Sequence, residues 1–142
     1  MSSPTGLHVQ GIERRVRILI ADDYPAIRKC VRSTLEEHPR FEVCGEAEDG
    51  AKAIEEAARL KPDVVILNIT MPVLNGFEAA RTIKATLPET AIVILSSHAD
   101  QCFIEEAREI GVQAYVPKTQ TGQALVKAIE TAVLGGDFVL LE

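Results

Sequence analysis

Two acids stand side by side at Asp22-Asp23, directly after the apolar run Val16-Arg17-Ile18-Leu19-Ile20-Ala21. Adjacent carboxylates repel one another unless a cation neutralises them, and oxygen ligands with room for water suit Mg²⁺. Other polar positions follow apolar runs in the same way. Asn68-Ile69-Thr70 follows Val64-Val65-Ile66-Leu67, Ser96-Ser97-His98 follows Ala91-Ile92-Val93-Ile94-Leu95, and Lys118-Thr119 follows Ala114-Tyr115-Val116-Pro117. Taken singly, each has a plain structural reading: Asp22 or Asp23 as a helix cap, Ser96 as a turn residue, Lys118 as a solvated charge. Their joint placement at the ends of successive runs argues for one polar crevice that collects a hard cation. Acids in the first loop also argue against a flavin or nucleotide phosphate there, which calls for glycines, hydroxyls and bare amide groups.

For these positions to meet, the apolar runs must be neighbouring strands. Their continuous, β-branched character predicts strands buried on both faces of a sheet. Phe41-Glu42-Val43-Cys44 and Ala114-Tyr115-Val116 are shorter and more polar, which predicts the two sheet edges, and Pro117 suits an edge because it donates no ladder hydrogen bond. Helical spacing alternates with these runs: Ile27, Cys30, Val31, Thr34 and Leu35; Phe77, Ala80, Ile83 and Leu87; Phe103, Ile104, Ala107 and Ile110; Leu125, Ala128, Ile129 and Val133. Ala51 to Leu60 is a weaker helix that must pack through alanines. Pro39, Pro62 and Pro88 lie just beyond three helices, and Asp100 is placed to cap another. Repeated βα units with right-handed crossovers predict an α/β fold, a flavodoxin-like (βα)5 doubly wound parallel sheet of strand order 2-1-3-4-5. Its ligand crevice lies outside the carboxyl ends of the first and third strands, where the polar positions fall.

With 142 residues, 46% hydrophobic and 25% charged, the composition is that of one globular domain, its core mostly aliphatic because aromatics are only 4%. A net charge of -6 opposes binding to nucleic acid or an anionic membrane surface. No stretch approaches the ~20 apolar residues of a membrane-spanning helix. Cys30, Cys44 and Cys102 are widely spaced, each in an apolar run, and read as reduced thiols serving as small core hydrophobes in a cytoplasmic protein. Residues 1–13 read as a disordered tail, 14–136 as the domain, and 137–142 as a C-terminal tail or the start of a linker.

The order of these features resembles the receiver domain of bacterial two-component response regulators over about Val16 to Val133. An acidic pair follows the first strand. Asn68 follows the third, with Met71-Pro72 and Asn75-Gly76 in its loop, Ser96 follows the fourth, and Tyr115 and Lys118 mark the fifth. The resemblance implies a switch in a phosphorelay rather than an enzyme. It implies that Asp22, Asp23 and the Thr70 backbone carbonyl hold Mg²⁺, that Ser96 and Lys118 contact phosphoryl oxygens, and that Tyr115 changes rotamer with Ser96 on activation. It also implies docking of a histidine kinase or other signalling protein on the face of the fourth helix, fifth strand and fifth helix, and homodimers in some members. Lys118-Thr119 stands where many receivers have Lys-Pro. Receivers fused to helix-turn-helix output domains often lack that proline, and Gly135-Gly136-Asp137-Phe138 resembles the start of their linker.

Asn68 occupies the family's phosphoacceptor position, which is otherwise aspartate. An amide offers a carbonyl acceptor and N–H donors but no anionic nucleophile, so the chain as written takes no phosphate. Its neutrality weakens the Mg²⁺ site, and Lys118 loses a salt-bridge partner there while keeping a hydrogen-bond acceptor. Three origins are compatible with it. It is natural, making a pseudo-receiver that works through protein contacts alone, or an Asp→Asn replacement, or an amide that hydrolyses slowly to aspartate, which β-branched Ile69 hinders. A Mg²⁺-dependent phosphatase with Asp22 as nucleophile needs a second acid two residues on, where Tyr24 stands.

Overall fold

The computed structural model describes residues 8–9, 12–98 and 100–141. β1 (His8–Val9) pairs antiparallel with β2 (Ile12–Glu13), so these backbone segments are strands where a disordered tail was expected; the rest of that 1–13 segment lies outside the described residues. From Val16 strands and helices alternate: β3 (Val16–Ala21), α1 (Pro25–Glu36), β4 (Phe41–Ala47), α2 (Gly50–Leu60), β5 (Val64–Leu67), α3 (Gly76–Thr86), β6 (Ala91–Ser96), α4 (Gln101–Ile110), β7 (Ala114–Pro117), α5 (Gln123–Val133) and β8 (Val139–Leu140). The main sheet has the order β4-β3-β5-β6-β7-β8, and all its pairings are parallel. Its first five strands in that order reproduce the expected 2-1-3-4-5 arrangement.

Side-chain alternation divides the core into two layers. Ile18, Ile20, Val64, Ile66, Val93 and Leu95 pack under α1 and α5, while Leu19, Val65, Leu67, Ile92 and Ile94 pack under α2, α3 and α4. Each such strand side chain, removed from water, contributes about 1.5–3 kcal/mol. The weak helix packs as its composition requires, through buried Gly50, Ala53 and Ala57. Asn75 and Glu78 form a reciprocal capping box at the start of α3, and Asp49 caps α2. Asp100 takes the N-cap position of α4 without a side-chain hydrogen bond.

Several expectations need correction. β7 is not an edge: β8 pairs with it through Ala114–Val139 and Tyr115–Leu140, so part of the 137–142 segment extends the sheet instead of trailing from it. Cys30 and Cys102 are exposed and Cys44 is half-buried, so the thiols are not core residues, and all three are free. On α1 the inward stripe runs through Val31 and Leu35, with Ile27 half-buried, and Cys30 falls on its solvent flank. Cys44 is bypassed where the β3–β4 register steps from Ile18 opposite Val43 to Leu19 opposite Gly45, a bulge that leaves it unpaired.

Candidate functional site

The carboxyl ends of β3, β5, β6 and β7 bring the polar positions together. Asp22, Asn68 and Ser96 are buried at 2%, 5% and 1% exposure, unusual for such side chains unless they are partnered. Asp22 Oδ1 accepts from Tyr24 N at 2.9 Å, shaping the turn into α1, where Pro25 takes the first helical position. Asp22 Oδ2 lies 3.0 Å from Lys118 Nζ. That approach pairs the charges but lacks hydrogen-bond alignment, and Asp22 Oδ2 is a buried oxygen with no hydrogen bond. The salt bridge of Lys118 is therefore with Asp22, where the sequence had led us to expect an acceptor at position 68.

Asn68 donates from Nδ2 to the Thr70 carbonyl at 2.7 Å and to Asp23 Oδ1 at 3.2 Å. Both partners are acceptors only, so the amide must present its nitrogen to them. Its donors thus engage two of the oxygens expected to hold a cation. A hard cation still finds a chemically suitable set in Asp22, Asp23 and the Thr70 carbonyl, with Asp22 Oδ2 lacking a hydrogen bond, provided the amide turns away. The set is reduced: among the described residues no cluster of three or more His, Cys, Asp and Glu forms.

Ser96 Oγ accepts from His98 N at 2.9 Å. The Tyr115 hydroxyl donates to the His98 carbonyl at 2.8 Å, and its ring is only 2% exposed, so the aromatic is seated inward. Burial pushes the Tyr115 phenol above its ordinary pKa. His98 Nε2 also lies 3.2 Å from Thr70 Oγ1, and its ring meets Phe103 edge-on, so this histidine ties the loop after β5 to the loop after β6.

Sequence reasoning missed three contributors. His98 was given no role in the crevice. Arg28 donates to the Asp22 carbonyl at 2.6 Å and to Glu46 at 2.8 Å, bracing the acidic loop against β4. Tyr24, exposed at 63%, has its ring centre 5.8 Å from Lys118 Nζ. For Arg28 the available signal was a base in the first turn of the helix that follows two acids; for the others only the folded loops reveal the contact.

Gly76 lets α3 begin against the strand end. Its N–H donates to the Ile69 carbonyl at 2.7 Å, and a Cβ there would lie 2.1 Å from the Asn68 carbonyl oxygen. Because that obstacle is backbone, Gly76→Ala is expected to cost about 3 kcal/mol or more, lowering the urea unfolding midpoint by roughly 1–2 M. An unchanged midpoint would mean that the loop yields easily. The same loop holds Val73 at φ +69°, a β-branched residue in the left-handed region and exposed at 78%, which places backbone strain beside the site.

The response regulator receiver domain family matches residues 18–130. The chain belongs to this family. The receiver is 32% identical over 127 residues to the transcriptional regulatory protein DegU of Brevibacillus brevis, covering 89% of this chain and 54% of that protein. It thus spans about half the length of the curated regulators it matches. It is 38% identical over 107 residues to a protein-glutamate methylesterase/protein-glutamine glutaminase of Pyrococcus abyssi, covering 74% of this chain and only 29% of that enzyme. In structure it matches the signal receiver domain of the response regulator NarL from Mycobacterium tuberculosis with a TM-score of 0.82 at 30% identity, over 86% of this chain and 98% of that one. Among its described residues no helix is long and apolar enough to cross a membrane.

Proposed function

We propose that this receiver is a protein-interaction switch of a two-component phosphorelay in which Asn68 holds the phosphoacceptor position, so that the chain as it stands takes no phosphoryl group. The observation that carries this reading is the side chain at the end of central strand β5, a carboxamide whose nitrogen is engaged by Asp23 and Thr70. Acyl phosphate formation needs a carboxylate oxygen to attack phosphorus in line, and a neutral amide supplies none. In this reading Asp22, Asp23 and the Thr70 carbonyl hold Mg²⁺, weakened by Asn68. When bound, the ion neutralises charge on the oxygens of a transferring phosphoryl group. With a carboxylate at position 68, Ser96 and Lys118 would contact that group, and Tyr115 would answer through Ser96 and His98. A histidine kinase or other signalling protein docks on the face of α4, β7 and α5, and a second copy of the chain pairs through α1 with α5 or through the α4–α5 face.

One observation favours a second reading, a phosphate-independent interaction module. Each acid of the crevice has an internal partner, Asp22 with the Lys118 ammonium and Asp23 with the Asn68 amide, which lessens the demand for a cation or phosphate there.

Treated with acetyl phosphate and Mg²⁺, the chain is expected to keep its intact mass. One stable phosphoryl adduct would refute the assignment of Asn68.

A further inference from the structure

The outer edge of β7 lies at the centre of the face assigned to partners, and the chain's own C-terminal segment covers it. Val139 N donates to the Gln113 carbonyl at 3.0 Å and Leu141 N to the Tyr115 carbonyl at 3.1 Å. Side chains alternate as strand geometry requires. Phe138 and Leu140 join the layer under α2, α3 and α4, while Val139 and Leu141 join the layer under α1 and α5. The Arg108 guanidinium of α4 lies 4.7 Å from the centre of the Phe138 ring. The attachment is nonetheless slight, since residues 138–141 are all half-buried and β8 is two residues long. A short strand with few buried contacts opens well below the free energy of global unfolding.

The same strand is linked to the crevice through Tyr115. Tyr115 stands opposite Leu140 in the β7–β8 register, and its carbonyl receives the Leu141 N–H. At the far end of its side chain the hydroxyl donates to the His98 carbonyl, and His98 N donates to Ser96 Oγ. Hydrogen bonds therefore run from Ser96 through His98 and Tyr115 to the C-terminal strand.

We propose that residues 138–141 form a self-docked cover on the β7 edge, coupled to the Ser96–His98 loop through Tyr115. The surface fits a short extended segment of alternating apolar side chains lying parallel to β7, and its occupant is this chain's own C-terminal segment. Docked, the cover pairs with β7 at Ala114 and Tyr115 and adds Phe138 and Leu140 to the layer that includes α4. Released, it opens an edge able to accept another strand. The coupling requires only that Tyr115 keep its inward seat better with the cover docked than released, and it then acts in both directions. The inference does not depend on phosphate or on the assignment of Asn68.

The test is residue-resolved amide NMR on the full chain with Leu140→Asp, which puts a charge into the α4-side layer. Val139 and Leu141 amides are expected to exchange at least about tenfold faster while β3 and β5 keep their protection. The His98 and Ser96 amide resonances are expected to move through the Tyr115 link. In a Tyr115→Phe background, which removes the hydroxyl link, Leu140→Asp should leave His98 where Tyr115→Phe alone puts it. Unchanged exchange at Val139 and Leu141, an unmoved His98, or an equal displacement of His98 in both backgrounds would each overturn the proposal. If Leu140→Asp also strips protection from β3 and β5, Phe138→Ala serves in its place with the same outcomes.

Discussion

Measured by calorimetry at low millimolar Mg²⁺, the Asn68→Asp variant is expected to bind the ion at least about tenfold more tightly than the chain as it stands. Two effects act in the same direction. The substitution adds a third acid, and hard-cation affinity follows the number and charge of oxygen ligands. It also removes the N–H donors that occupy Asp23 Oδ1 and the Thr70 carbonyl, so the ion no longer has to displace them. Opposing these, the new carboxylate competes for Lys118, whose ammonium lies 3.0 Å from Asp22 Oδ2. A shift of the lysine toward position 68 would free Asp22 for the ion, so this competition does not reverse the sign. Residual binding by the unmodified chain is expected to be weak and to fall with Asp23→Asn. Equal affinities for the two proteins would remove position 68 from the cation site.

What the sequence disclosed depended on how regular the signal was. β5 and β6 are unbroken apolar runs long enough to be read as central strands, and they place Asn68 and Ser96 in the crevice. Once the strand order was derived, Asp22 and Lys118 had to join them. β8 was not legible because two residues after Gly135-Gly136 have no periodicity, and their pairing with β7 is a tertiary event. Cys30 was misplaced because it is adjacent to Val31, and a single helical step carries a residue about 100° around the axis. The direction of the Asn68 amide was not legible either, since it follows from the two acceptors gathered around it. The pairing of Lys118 with Asp22 also needed the folded crevice, because an amide at position 68 leaves the nearest anion to attract the ammonium. His98 bonds through its backbone N–H and carbonyl, groups every non-proline residue carries, so no residue type announces them.

The central claim is that this crevice is a receiver site lacking only its nucleophile. Asn68→Asp exchanges one nitrogen for one oxygen with almost no change of shape, so the packing around Ala21, Gly76 and β5 should survive it. Ser96 ends β6, the strand paired with β5, and Lys118 Nζ lies 3.0 Å from Asp22 Oδ2 at the same end of the sheet. The most direct measurement is the intact mass of the Asn68→Asp variant after treatment with acetyl phosphate and Mg²⁺. The account predicts gain of one phosphoryl group, lost again when Lys118→Ala or Asp23→Asn is added. A variant that folds with β3 and β5 protected yet stays at its unmodified mass would contradict it and leave the phosphate-independent interaction module as the reading of this chain.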